Sequence, residues 1–267
     1  MSKLLDRLDR ITRGTSRTLG FAPAAQSEPV PSLALLALVE DSSKSKIDSL
    51  TGTKVDALIL PRGLTGVDGL EKQVKSLEGS TWGVAMDQPD RDRVEAYREK
   101  GCDFIVFGID DTAVDALEEG EGEPGRILSI TADLEESVLR GLEDLPMDII
   151  LLRKPPPEGP LSLSHLLSIS NIRSATSHYL LLEWDTELTP RELEHLRDMG
   201  VDGLVINAGE TDPAAITTLQ EKISALPPRR GKGEQRPVAV LPRLRGAGSI
   251  RPDRQEEEEE DEEWDEP

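Results

Sequence analysis

Short apolar runs recur at regular intervals through the middle of the chain. They are "LALLALV" (33–39), "ALIL" (57–60), "WGVAM" (82–86), "FIVF" (104–107), "ILSI" (127–130), "IILL" (149–152), "YLLL" (179–182) and "GLVI" (203–206). Polar residues do not alternate within them. Strands apolar on both faces belong to a parallel sheet covered by helices. The segments between the runs carry the longer, helical period. Val67, Leu70, Val74 and Leu77 form one stripe, and Ile216, Leu219 and Ile223 another. "TPRE" at 189–192 predicts a helix start, with Thr189 as N-cap, Pro190 in the first helical position and Glu192 closing a capping box. "DPAA" at 212–215 opens the next helix in the same way. Pro89 makes Gln88 the expected cap of its helix, and Asp133 with Glu136 fits a further capping box.

Eight strands alternating with helices predict a compact (β/α)8 TIM barrel, an α/β fold, over residues 31–228. A repeated phrase supports the count. "KVDALIL", "GCDFIVF", "PMDIILL" and "GVDGLVI" precede or contain the even strands, with Asp56, Asp103, Asp148 and Asp202 spaced 47, 45 and 54 residues apart. The odd strands end on Glu40, Asp87, Asp133 and Glu183, spaced 47, 46 and 50 apart. This pattern reads as a βαβα unit used four times. An open doubly wound sheet is the competing fold, but no Gly-rich dinucleotide turn follows the first strand.

The ends differ from the middle. Residues 1–30 read as an N-terminal helix and a polar linker. In "MSKLLDRLDRITR", Leu4, Leu5, Leu8 and Ile11 share one helical stripe, fit to plug the barrel bottom, bind a partner helix or touch a membrane surface. Residues 229–254 form a basic loop, with eight Lys or Arg against two acids and one extended segment, "VAVLPRL". Residues 255–267 are expected to be a disordered acidic tail, because a block of like charge repels itself. The last twelve residues supply −10 of the net charge of −21. That tail and the first helix are the two expected contact points for protein partners.

Composition narrows the function. Aromatics are 3% of the chain, so the core is aliphatic. One cysteine, Cys102, allows no internal disulfide, and no secretory signal or membrane-length apolar run is visible. These features predict a cytoplasmic protein. The acidic balance argues against nucleic-acid binding, which needs a basic surface. His165, His178 and His195 fall in or beside helices, the first and last read as surface residues, and no zinc-ligand spacing occurs. Cys102 precedes the fourth strand and reads as a buried thiol.

In this fold, chemistry belongs to the C-terminal ends of the strands. The groups expected there include Glu40, Arg62, Asp87, Asp133, Arg153, Lys154, Glu183, Asp185 and Asn207. Lys154, Glu183 and Asp87 are the candidate catalytic groups. Arg62, Arg153, Asn207 and Glu40 are the candidate substrate-binding groups. The odd-strand carboxylates, if they converge, suit Mg²⁺ or an acid–base pair, although carboxylates before helices also serve as caps. The loops after the last two strands, "EWDTELTP" and "NAGETDP", are acidic and poor in glycine, which disfavours a phosphate site.

Lys154 follows the sixth apolar run in "MDIILLRKPPP". In its strand index it resembles class I, Schiff-base aldolases, which carry their lysine at the end of the sixth barrel strand. The resemblance covers that one residue and implies imine chemistry on a carbonyl substrate. The competing assignment is a solvated charge before a rigid proline loop. The expected function is a small-molecule lyase or isomerase acting on a carbonyl or hydroxy acid. The alternative is a non-catalytic barrel serving as a scaffold or binding module.

Overall fold

Each apolar run becomes a strand because the closed sheet lets it bury both faces. In the computed structural model the strands are β1 (Ala34–Leu38), β2 (Ala57–Leu60), β3 (Trp82–Ala85), β4 (Phe104–Phe107), β5 (Gly125–Ile130), β6 (Ile149–Leu152), β7 (Tyr179–Glu183) and β8 (Gly203–Asn207). They pair in parallel in sequence order, and β8 returns to β1 to close a (β/α)8 barrel. The structure describes residues 2–13, 30–39, 50, 53–61, 77, 79–110, 112–117, 122–156, 159–209 and 211–228. The chain divides into a compact unit, Met1–Gly231, and the segment Lys232–Pro267, which lies outside the described residues. The stripe at 67–74, the segment "VAVLPRL" and the acidic tail are outside them too.

Six helices are described: α1 (Lys3–Arg13), α2 (Arg91–Glu99), α3 (Glu136–Gly141), α4 (Leu163–Ala175), α5 (Pro190–Asp198) and α6 (Pro213–Ser224). The start of α5 is the expected capping box on Thr189 and Glu192, and Asp212 caps α6 ahead of Pro213. Two other expected caps are corrected. Gln88, at φ +48, lies two residues ahead of the cap position; Asp90 caps α2, its carboxylate accepting the Arg93 N–H at 2.8 Å. Asp133 lies too far ahead of α3, whose cap position is Glu135. Its carboxylate is held instead by the Thr131 hydroxyl and its own backbone N–H, which lower its pKa. None of the described helices is long and apolar enough to cross a membrane.

Strand alternation sorts the core into two clusters. Residues such as Leu35, Leu58, Val84, Leu152, Leu182 and Leu204 pack outward under the helices. Ala34, Leu36, Ile59, Phe104, Ile127, Leu151, Leu181 and Val205 fill the lumen. The bottom layer of the lumen uses small residues to admit one large ring. A Cβ at Gly83 would lie 2.3 Å from the Phe104 ring and 2.4 Å from its carbonyl oxygen, so β3 and β4 approach here only because Gly83 has no side chain.

The repeated aspartates have a physical explanation. Each sits just before an even strand and donates its N–H to the carbonyl of Leu35, Trp82, Arg126 or Leu180 at the start of the preceding odd strand. Three of them return the bond through the carboxylate. Asp56 accepts the Leu35 N–H at 2.9 Å, Asp148 the Arg126 N–H at 2.8 Å and Asp202 the Leu180 N–H at 2.8 Å. One residue thereby staples two strands where the ladder begins and its donors would otherwise lie unpaired.

Asp103 diverts its carboxylate to α1. It accepts the Ser2 hydroxyl at 2.7 Å and the Lys3 and Leu4 N–H groups at 2.7 and 3.0 Å. These are the unpaired donors of a helix start, supplied with an acceptor from a distant strand. Of the three fates open to the N-terminal helix, the barrel bottom is the one observed. Leu4, Leu8 and Ile11 join the lumen cluster, so the stripe expected to suit a partner is already buried.

Candidate active site at the barrel mouth

Alternation decides which side chains share the mouth. Leu151 belongs to the lumen cluster and Leu152 to the outer one, so Arg153 stands on the inward register and Lys154 on the outward one. Leu181 and Val205 put Glu183 and Asn207 on the inward register as well, and Ala85 does the same for Asp87. In the β6–β7 ladder Leu151 lies beside Leu181, which makes Arg153 and Glu183 lateral neighbours. Their Nε and Oε2 atoms are 3.7 Å apart, with the glutamate side chain 26% exposed and the arginine 56%. Asn207 is half-buried, and its Oδ1 accepts the Gly209 N–H at 2.8 Å, which fixes the amide's orientation. Asp87 is exposed beyond β3, and its carbonyl accepts from Arg93 at 2.7 Å. Glu40 and Arg62 lie outside the described residues.

Lys154 belongs to a separate group. Its ammonium forms an ion pair with Asp185 and lies 5.8 Å from the centre of the Trp184 ring. Trp184 is buried between the sheet and the start of α4, where His165 meets it edge-on at 5.0 Å. His165 is therefore buried, and its assignment to the surface is corrected. Its Nδ1 accepts the Ser162 N–H at 2.9 Å, taking the place that glutamate or glutamine usually holds in a capping box. The spacing of Ser162 and His165 was the sequence signal for it. Cys102 is buried as expected; burial pushes its thiol up to about 12, and Sγ donates to the Phe104 carbonyl at 3.1 Å.

The arrangement suits proton transfer more than cation binding. A carboxylate can exchange a proton with a bound substrate, and a guanidinium beside it can take a substrate carboxylate bidentately. A hard cation needs several oxygens at one point, and among the described residues no three of His, Cys, Asp or Glu gather that way. Asp87, Asp133 and Glu183 are not gathered at one point, and Glu40, the fourth odd-strand acid, lies outside the described residues.

No family model matches the sequence, and no curated protein matches it. Solved structures do resemble it. A mutant tryptophan synthase alpha-subunit from the hyperthermophile Pyrococcus furiosus is 12% identical, covers 73% of this chain and 98% of its own, and gives a TM-score of 0.55. The aminoacrylate-bound tryptophan synthase of M. tuberculosis is also 12% identical, covers 84% and 99%, and gives 0.56. At that identity the likeness establishes the fold, a (β/α)8 barrel.

Proposed function

We propose that the chain is a small-molecule lyase or isomerase acting on a carbonyl or hydroxy-acid substrate at the barrel mouth. The observation that carries this reading is the Arg153–Glu183 pair, adjacent on the inward register of β6 and β7. Glu183 removes or returns the proton beside the carbonyl, Arg153 binds the substrate's carboxylate or carbonyl oxygen, and Asn207 orients it. Asp87 supplies a second carboxylate on the same register. The likeness to tryptophan synthase alpha-subunits supports an enzyme built on this frame. An imine at Lys154 is less favoured, because Asp185 and the Trp184 face both bind the cation whereas a nucleophilic amine must be uncharged.

The test is proton exchange. The protein is incubated in D2O with a pool of small 2-oxo acids, aldehydes and hydroxy acids, and deuterium incorporation is followed by NMR. Incorporation or turnover that falls about 100-fold or more in Glu183→Gln supports the assignment. Incorporation untouched by that change, or none at all, removes it. A borohydride-trapped adduct lost only in Lys154→Ala would move the chemistry to the outer group. A non-catalytic scaffold is the second reading, favoured by the exposed Leu163 and Leu167 on α4.

A further inference from the structure

A cavity of about 300 Å³ lies at the bottom rim of the barrel, the end opposite the mouth, where α1 and α6 meet the starts of β1 and β2. Leu33, Leu35 and Ile223 are buried and give it an apolar floor. Arg7, Lys54 and Ser224 line the rest and bring donors. Gln220 braces the wall: its Nε2 donates to the Lys54 carbonyl at 2.6 Å, which ties α6 to the segment ahead of β2.

These donors are not matched by acceptors. Asp56 is the one acid among the lining residues, and both its oxygens are engaged. Its Oδ1 accepts from the Arg7 Nε at 2.8 Å and its Oδ2 from the Leu35 N–H at 2.9 Å. Among the described residues, the terminal nitrogens of Arg7, the Lys54 ammonium and the Ser224 hydroxyl have no hydrogen-bond or ion-pair partner. Glu221 lines the neighbouring groove and not this cavity. Arg7 and Asp56 cancel in charge, so Lys54 leaves the cavity with one net positive charge. The chain as a whole carries −21, but a field fades over about 8 Å at cellular salt, so the local charge decides.

We propose that this cavity binds a small organic monocarboxylate, its acid group on Arg7 and Lys54 and its apolar body on the leucine and isoleucine floor. A guanidinium fork offers parallel N–H donors that a carboxylate matches in geometry. One net positive charge balances a monoanion and not a phosphate dianion. The apolar floor gains from an alkyl or aryl body, which an inorganic anion lacks. The volume stands at the small end of ligand sites, which suits a metabolite-sized acid. A ligand held there bridges α1 and α6. The site lies at the other end of the barrel from Glu183 and does not rest on the catalytic reading.

The experiment is saturation-transfer NMR on the full chain with hexanoate and benzoate, each at up to roughly 10 mM, beside their neutral amides and with inorganic phosphate as competitor. The acids are expected to bind, the amides not, and phosphate to displace them poorly. Arg7→Lys keeps a cation beside Asp56 but loses the fork, and Lys54→Gln removes the unpaired charge at an exposed position; each should weaken binding about tenfold. Should Arg7→Lys fail to fold, Lys54→Gln decides alone. Arg153→Gln, which removes the cation at the mouth, should leave this binding intact. Failure of the acids to bind, equal binding of acids and amides, or ready displacement by phosphate overturns the proposal. Binding unchanged in the bottom variants does so too, and loss only in Arg153→Gln assigns the acids to the mouth instead.

Discussion

At Glu143 one carboxylate gathers three donors. The Ser177 hydroxyl at 2.5 Å, the Ser177 N–H at 2.8 Å and the Thr176 hydroxyl at 2.9 Å draw its pKa from the usual 4.5 down to about 2. A carboxylate depressed by folding stabilises the native state above its unfolded pKa and ceases to as pH falls. The stability difference between the wild type and Glu143→Gln should therefore be full above about pH 4.5 and shrink toward pH 2. Thermal unfolding across that range checks it, and a difference that stays constant with pH would contradict it. The His178 ring lies beside the same group, with Nε2 4.0 Å from Oε2, so it adds a charge-assisted contact only when protonated.

Among the elements, α1 depends most on a single distant residue. Asp103 takes three of its N-terminal donors, Arg7 reaches Asp56 at 2.8 Å, and three apolar residues enter the lumen. Asp103→Ala leaves those donors without their acceptor and should cost about 2 kcal/mol. The helix should loosen first, seen as faster amide exchange and proteolysis within residues 1–13 while the barrel core stays protected. Exchange unchanged in α1 would mean that its apolar face alone holds it. Leu8, fully buried, carries much of that face.

At the scale of the molecule the two ends of the barrel carry different groups. The bottom is sealed by α1 and the aspartate staples, which serve stability; the top holds the Arg153–Glu183 pair, where this fold concentrates chemistry.

The sequence by itself determined the strands, since an apolar run with no alternation has only one economical place, between two layers of packing. It also carried the staples, because an aspartate ahead of an even strand needs only the neighbouring strand to do its work. The capping box of α5 and the Asp212 cap of α6 were legible for the same local reason. What tertiary structure decided was direction and distance. Lys154 and Arg153 are adjacent in the chain, yet alternation and the register of β6 on β7 send one to Asp185 and Trp184 and the other to Glu183. His165 became a buried cap partner because Trp184 covers it. The fate of the N-terminal stripe depended on the small residues and the one phenylalanine that shape the lumen it enters. Periodicity fixes which face of an element is apolar; only packing fixes what that face meets.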